Sequence, residues 1–588
     1  MEMRTHHPSK RGSMDEEDRL SSLPDDLLHS ILRELPLKHA VRTSALSRRW
    51  APQWLRALAS SRVLDFTDLD LAAVATVRRC LELHAEHAAP LDVFRLALRS
   101  PPAGSSDGAF GRDVVGWIAS AVARGAREVE VDLHLTPTPT PTPTGSGRRR
   151  RQRRRQSRHV LDFDDGSAAF VELPGGLFQA RNSLVRLALG GLSLRAVPLA
   201  APGLAGLRSL SLSRIGVTDE VVRGILASCR ALESLSLRSC SLLASVSIAC
   251  ERLRDLQLLG CRAVQEVSIC IACERLRELR LLGCRAVQTL QVAAPALESL
   301  TLYGQVCWSE HGGNDPDPFP VFFDFVGGLP MPALRDAYLS HLGCGACNVV
   351  HDLSYPRLCY VVAHARIVTL CSIGLLLLYN HSMHDIVYME MPNLEELQLL
   401  LASPEYLDDK DQMHVSTFFM LTPLPVLQRL FLHLPSDLGY GWSRDRDSDD
   451  EAQLPSDLGY GWSRDRDWYS DDEADSADLR IEHEIVLDQL TLIKVFNFMA
   501  TRRELRLLTF FLTRAPSLEQ LVLVTAEGEK APADDQLKAM QERVSELQRS
   551  SREARISVCR PKEDDSQNHA HTRFFHEDDE YVKIYDFL

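Results

Sequence analysis

The sequence predicts an α/β chain: a three-helix module near its start, then a solenoid that lays one short strand per turn into a curved parallel sheet. Leucines recur as Leu-x-x-Leu-x-Leu at a nearly constant interval through the middle of the chain, whereas a block of leucines near residue 30 follows helical spacing. The composition leaves room for both, with 588 residues, 45% of them hydrophobic and 25% charged.

In the helical block, Leu23, Leu27, Leu28, Ile31, Leu32 and Leu35 share a 3.6-residue period. Pro24 stands at the entrance, and Asp25 and Asp26 sit where the helix dipole favours negative charge. Pro36 stops this helix. Ala40, Val41, Ala45 and Leu46 predict a second short helix, leading into Ser47-Arg48-Arg49-Trp50 and then Trp54. A module of this size hides too little surface to bury its leucines and two tryptophans alone, so it calls for a partner.

These residues carry a resemblance. Leu-Pro-Asp-Asp-Leu-Leu at 23–28, Ile31-Leu32, Leu35-Pro36 and the stretch 40–50 ending in Ser-Arg-Arg-Trp are similar to a plant F-box over residues 21–60. The resemblance implies a Skp-type adaptor as partner and, through it, a cullin. It also implies that Leu23, Pro24, Leu27, Leu28, Ile31, Leu32, Val41, Leu46 and Trp50 supply the module's core and adaptor-facing surface. Which of them face inward is left open, and Pro52 leaves the placement of Trp54 open as well. The bland alternative is a helical cap on a solenoid.

The repeats are counted directly. Leu207/Leu210/Leu212, Leu232/Leu235/Leu237, Leu253/Leu256/Leu258, Leu276/Leu279/Leu281 and Leu297/Leu300/Leu302 share one template, with middle leucines 25, 21, 23 and 21 residues apart. This is the leucine-rich-repeat interval. The template recurs at Leu184, Leu187 and Leu189, at Leu394, Leu397 and Leu399, at Leu427, Leu430 and Leu432, and at Leu518, Leu521 and Leu523. Ile-Ala-Cys-Glu-Arg-Leu-Arg at 248 and 271, and Leu-Leu-Gly-Cys-Arg-Ala-Val-Gln at 258 and 281, mark a duplicated unit. Val63 to Phe66, Val93 to Leu98 and Val129 to Leu135 read as strands of irregular early repeats, with a helix from Asp113 to Arg124 ended by Gly125. The apolar run Ile367 to Tyr379 is too short to span a bilayer and reads as buried strand.

Alternate residues of each strand face outward on the concave side and form the natural docking surface for a protein target. The candidates are Ser211, Ser236, Arg238, Gln257, Arg280, Thr301 and Tyr303, beside Ser209, Ser213, Ser234, Asp255, Glu278 and Ser299. Toward the C-terminus, residues 510–523 and 547–558 resemble the FBD region of plant F-box proteins, with Leu537, Met540, Val544 and Leu547 predicting an amphipathic helix between them.

Two insertions interrupt the array. Residues 136–144 alternate Thr and Pro and lead into Arg148, Arg149, Arg150, Arg151, Arg153, Arg154, Arg155 and Arg158, an extended exposed segment that suits nuclear import or plain solvation. Without an aromatic platform or reading helix, nucleic acid is not the expected partner, in keeping with a net charge of -14. The second insertion repeats Leu-Pro-Ser-Asp-Leu-Gly-Tyr-Gly-Trp-Ser-Arg-Asp-Arg-Asp at 434 and 454 and is rich in aspartate to residue 478, a composition that favours disorder. The expected division is therefore a disordered 1–20, an F-box at 21–60, repeats over 61–433, the acidic insert 434–478, terminal repeats with the FBD-like region at 479–558, and an acidic tail at 559–588.

The start of the chain has no apolar core of a secretory signal, so the fourteen cysteines are expected as thiols in cytoplasm or nucleus. Cys270-x-x-Cys273 and Cys344-x-x-Cys347 have metal-like spacing, but the first follows from the duplicated repeat, and no metal is expected. His569, His571 and His576 form a loose cluster in the acidic tail. No phosphate loop, dinucleotide turn, nucleophile elbow or His-Glu-x-x-His pattern occurs, so neither catalysis nor a cofactor is predicted. The function expected from the resemblance is substrate recognition within a Skp-cullin-F-box ubiquitin ligase, the alternative being a non-degradative interaction scaffold.

Overall fold

The structure, a computed structural model, describes residues 23–35, 37–45, 48–50, 52–67, 74–87, 90–99, 109–134, 171–179, 183–194, 201–240, 242–243, 245–282, 285–304, 322–325, 331–341, 354–372, 374–375, 378–379, 390–401, 409–434, 485–526 and 531–564. These residues fall into two compact units, one running through Ser209 and the other starting at Leu210.

The first unit opens with helices α1 (Asp25–Glu34), α2 (Leu37–Arg42) and α3 (Gln53–Ala59). The Pro24 carbonyl accepts from Leu27 N and Leu28 N, both at 3.1 Å, and so starts α1. Leu35, which precedes a proline, turns extended at ψ 140° and ends it. Pro52 stands at the entrance of α3 and thereby places Trp54 on that helix. Leu28, Leu32, Ala40, Trp50 and Ala57 are buried together, with Leu23, Leu35 and Trp54 packed around them.

Four parallel strands follow in the same unit: β1 (Val63–Phe66), β2 (Val93–Arg99), β3 (Glu128–His134) and β4 (Arg186–Gly190). Helices α4 (Val74–Glu86) and α5 (Ala109–Ala123) lie between them in sequence, and α3 packs against α4. Strands β1 and β2 begin where the apolar alternation begins, β3 begins one residue earlier, and Leu135 lies outside the described residues. Helix α5 begins four residues before Asp113, and Gly125 follows it at φ +85°. Gly191 is required where it stands: its φ is +67°, and a Cβ there would lie 2.1 Å from the Leu133 carbonyl oxygen.

The second unit carries β5 (Ser209–Ser213, whose first residue closes the first unit), β6 (Ser234–Arg238), β7 (Asp255–Leu259), β8 (Glu278–Leu282), β9 (Ser299–Gly304), β10 (Asp336–His341), β11 (Ile367–Cys371), β12 (Glu396–Leu400), β13 (Arg429–His433), β14 (Leu492–Phe498), β15 (Gln520–Thr525) and β16 (Arg555–Cys559), adjacent in this order. Every leucine of the counted template is buried, and leucines of successive copies stand in register, as in Leu235, Leu256 and Leu279. The duplicated copies stack directly, Asp255 opposite Glu278. Even across the acidic insertion the register holds, with Leu430 opposite Ile493.

Strand ends are tied by a backbone device. Arg214, Ser239 and Gly260 each follow a strand in the left-handed region, at φ 50°, 51° and 59°. Each donates its N–H to the last carbonyl of the next strand, all at 2.7 Å: Arg214 to Arg238, Ser239 to Leu259, Gly260 to Leu282. Cys240 and Cys261 then return a bond to the previous strand, their Sγ atoms donating to the Leu212 and Leu237 carbonyls at 3.8 and 3.5 Å. Buried in this way, the Cys240 thiol is held well above its usual range, chiefly by its contact with Cys261. A second parallel sheet backs these repeats, with strands Ser245–Ile248, Arg262–Ala272, Arg285–Ala293 and Phe322–Phe325. Elsewhere helices fill that position, among them α6 (Asp219–Ser228), α7 (Ser354–Val361), α8 (Asp409–Leu421), α9 (Arg502–Leu512) and α10 (Asp534–Ser545). Thr501 and Glu504 cap α9 reciprocally. On α10 only Val544 is buried, so the face expected from Leu537, Met540 and Leu547 is a shallow one.

One expectation is corrected. The apolar run Ile367 to Tyr379 is strand only as far as Cys371; Ser372, Gly374, Leu375, Leu378 and Tyr379 are helical. A continuous apolar run does not distinguish strand from buried helix. The strand here spans five residues, after which the chain leaves the sheet.

Gly191→Ala is expected to destabilise the fold by about 2 kcal/mol or more, read as a lower midpoint in denaturant unfolding. The half-buried His433 ring stacks on Phe496 at 6.4 Å between centroids, and desolvation lowers its pKa from 6.5 to about 4. Between these values the unfolded chain takes up a proton that the folded chain refuses. Stability is therefore full above pH about 6.5 and falls, by on the order of 2 kcal/mol, as the pH drops toward about 4. His433→Leu should flatten that window in unfolding curves taken across it.

Candidate functional site

Two surfaces come from this architecture. The first is on α1, where residues one turn apart share a stripe. Leu28 and Leu32 turn inward and are fully buried, whereas Leu27 and Ile31 are 51% and 40% exposed, with Pro24 exposed in line with them. The six apolar positions read from the sequence therefore separate into a core stripe and a solvent stripe. Trp50 is buried and belongs to the core. Leu23 is half-buried at the margin, and the side chains of Val41 and Leu46 lie outside the described residues.

Polar contacts fix the helix against the rest of the module. Arg49 donates to the Leu23 carbonyl at 2.5 Å and pairs with Asp25 at 2.6 Å. The hydrogen bond from Arg49 holds the Asp25 carboxyl below its usual value. His29 and Gln53 join α1 to α3 through Nε2 and Oε1 at 2.7 Å, and Arg33 donates to Ser60 Oγ at 2.6 Å. The exposed stripe is thus presented by a braced helix.

The second surface is the outward strand face. Ser211, Ser236, Gln257 and Arg280 occupy the middle position of successive strands β5 to β8 and are all half-buried, as are Arg238 and Tyr303 at the strand ends. Arg280 pairs with Glu278 at 2.5 Å, and desolvation followed by the Glu278 charge raises the Asp255 carboxyl beside them.

Thr301 departs from the expectation of a solvated face: it is buried, as is Ser299. Its register partners Arg280 and Tyr338 stand on either side, and Tyr303 lies 6.2 Å from Tyr338, so a short threonine between them loses its access to water. From Thr301 onward the same middle row becomes largely closed. Thr369, Gln398, Phe431, Lys494 and Val522 follow in register, and each is buried. Thr369 Oγ1 donates to Gln398 Oε1 at 2.8 Å, Arg429 pairs with buried Glu396 at 2.6 Å, and Lys494 pairs with Asp564 at 2.5 Å. Phe431, Leu492, Val522 and Val524 make an apolar floor between these polar groups, with Tyr338, Leu400, Phe496 and Cys559 at its edge. None of this second stretch stood among the sequence candidates. Its signal was present as Leu490-x-x-Ile493-x-Val495, the template with β-branched residues in place of leucine.

Among the described residues, no group of three or more His, Cys, Asp or Glu side chains is placed to hold a metal ion, and no helix is long and apolar enough to cross a membrane. Cys273 donates to the Ile248 carbonyl at 3.7 Å and accepts from Cys250 N at 3.4 Å, so its spacing from Cys270 serves the stacking of repeats. The arginine run 148–158, the pair Cys344 and Cys347, the acidic insertion and His569, His571 and His576 lie outside the described residues.

Comparison with known proteins finds matches to both parts of the chain. The F-box domain family matches residues 20–54, and the family described as FBD-associated F-box protein At5g56370, LRR repeats, matches residues 153–300. F-box protein At5g03100 of Arabidopsis thaliana is 28% identical over 255 residues, 42% of this chain and 66% of its own length. F-box/FBD/LRR-repeat protein At5g22700 of the same plant is 36% identical over 113 residues, 19% of this chain and 24% of its own length. F-box/FBD/LRR-repeat protein At5g22660, also of Arabidopsis thaliana, is 53% identical over 60 residues, 10% of this chain and 12% of its own. The chain therefore spans less than two thirds of the length of these relatives. With a match to the F-box domain followed by a match to FBD-associated leucine-rich repeats, the chain is similar in both parts, and in this order, to plant F-box/leucine-rich-repeat proteins.

Proposed function

We propose that the chain is a substrate-recognition subunit of a Skp-cullin-F-box ubiquitin ligase. The α1 stripe of Pro24, Leu27 and Ile31 binds a Skp-type adaptor and through it a cullin, and the outward strand face holds a protein target. The observation that carries this reading is the exposure of Leu27 and Ile31 beside the fully packed Leu28 and Leu32. A ten-residue helix that already has a core does not need two more large apolar side chains in water; a partner helix or groove does. Catalysis then belongs to another protein's thioester, and this chain contributes proximity.

The open strands β5 to β8 suit a polar protein segment, because their middle row, Ser211, Ser236, Gln257 and Arg280, is polar throughout and is flanked by Arg238, Asp255 and Glu278. The arginine run 148–158 supplies the chemistry of an import signal, which supports placement in nucleus or cytoplasm.

The test is capture of a purified Skp-type adaptor. Leu27→Asp with Ile31→Asp should weaken capture by at least about tenfold while leaving the thermal midpoint of the chain unchanged, since both side chains are exposed. Leu28→Asp should lower the midpoint as well, because it places a charge in the packed core. Equal capture by the wild type and the double variant would sink the docking assignment.

A further inference from the structure

A parallel sheet ends in a strand whose outer backbone groups have no neighbouring strand, and an edge left in that state invites one. Strand β16 is such an end. Its residues Arg555, Ser557 and Cys559 turn their N–H and C=O groups toward β15, as Arg555 N shows by donating to the Glu519 carbonyl at 2.8 Å. Ile556 and Val558 therefore turn theirs away from the sheet. The strand also has little cover: Arg555 and Ser557 are exposed and none of its residues is fully buried, whereas on β15 all but Gln520 are.

Gln541, on α10, meets both outward-turned residues. Its Nε2 donates to the Ile556 carbonyl at 3.1 Å, and its Oε1 accepts from Val558 N at 3.0 Å. A residue of a further parallel strand, placed opposite Ser557, would make the same two bonds with its own N–H and C=O. A primary amide is the side-chain group that carries a donor and an acceptor side by side in this way. Helix α10 is held in place independently of Gln541. Arg560 donates to the Pro532 carbonyl at 3.1 Å and pairs with Asp534 at the start of the helix, and Val544 is buried near its end. Past that end, Ser550 N donates to the Leu512 carbonyl at 2.9 Å and Ser551 Oγ to the Leu518 carbonyl at 2.7 Å. These bonds join the two FBD-like stretches, 510–523 and 547–558, around the helix.

We propose that Gln541 ends the sheet: its amide takes the place of the next strand and keeps the β16 edge from pairing with a second copy of this chain. The edge is self-complementary, which makes the second copy the strand to be kept out. A twofold antiparallel pairing centred on Ser557 sets Ile556 against Val558 of the other copy, each such pair exchanging both of its backbone bonds. The same pairing sets Arg555 against Cys559, so no like charges meet. The two FBD-like stretches thereby gain a task, closing the array, that does not depend on the proposed ligase role.

Hydrogen exchange of the full chain, resolved to single amides by mass spectrometry, tests the closure. Gln541→Ala places the strongest helix former on α10 and should speed exchange at Val558 by at least about tenfold. Amides 537–545 should keep their wild-type rates, because Arg560, Val544 and Ser550 still hold the helix. Wild-type exchange at Val558 would mean that Gln541 does not close the edge, and loss of protection along α10 would make it a tether for the helix; either result overturns the proposal. Light scattering tests what is kept out. Gln541→Ala with Arg560→Ser, which also frees the start of α10, should give a larger mass than the wild type at equal concentration, read on chains whose buried Cys359 resists alkylation. Adding Val558→Pro should restore the wild-type mass, because it removes an N–H that faces away from β15 and so costs no ladder bond. An unchanged mass in the double variant, or association that survives the proline, would overturn the assignment of the second copy.

Discussion

The dependence of each turn on its neighbours governs this molecule. A five-residue strand such as Asp255–Leu259 points Leu256 and Leu258 inward, and no single turn has enough chain to cover them. Burial comes from stacking, with Leu256 between Leu235 and Leu279, and each fully buried leucine contributes roughly 1.5–3 kcal/mol only when both neighbours are in place. The strand-end bonds from Arg214, Ser239 and Gly260 and the returning thiol bonds from Cys240 and Cys261 serve the same end. They satisfy polar groups that would otherwise be stranded where the chain leaves the sheet. Two of these left-handed positions carry Arg and Ser, so the turn geometry prevails over the preference for glycine.

This dependence explains how the chain tolerates its insertions. Nothing in a turn requires the connection to the next strand to be short, provided the next strand arrives in register. Arg429 pairs with Leu492 across the acidic insertion as regularly as Asp255 pairs with Glu278 across one copy of the duplicated unit. Loop closure costs grow only slowly with length, whereas a slipped register would turn every leucine outward.

The same logic sets what was legible in the sequence. Strands built on three leucines were readable wherever they occurred, and so were the early strands at Val63, Val93 and Glu128, because alternation is a local signal. Ala337 and Ile493 hold the same buried positions without spelling the template, and their strands were harder to see for that reason. The run after Ile367 misled because apolar content does not report where a repeat turns. In the helical module the pattern announced one apolar surface; only packing against Ala40, Trp50 and Ala57 separated Leu28 and Leu32 from Leu27 and Ile31. Burial of Thr301 was not readable, since it depends on which long side chains flank it in register from turns far away in sequence.

An open and a closed stretch of one strand face impose different chemistry on residues in equivalent positions. Gln257 and Arg280 remain wet, so a partner meets them at little desolvation cost. Glu396 and Lys494 are buried, and a buried charge is tolerable only with its counter-charge in place; Arg429 at 2.6 Å and Asp564 at 2.5 Å fill that role. Both pairs lie beside Phe431 and Leu492, so the closed half is committed to its present contacts in a way the open half is not. Because Asp564 comes from beyond the last strand, this commitment also ties the end of the sheet back onto its middle. A stack held otherwise by nearest neighbours thereby gains a contact that skips one strand, which resists fraying at the edge strand β16.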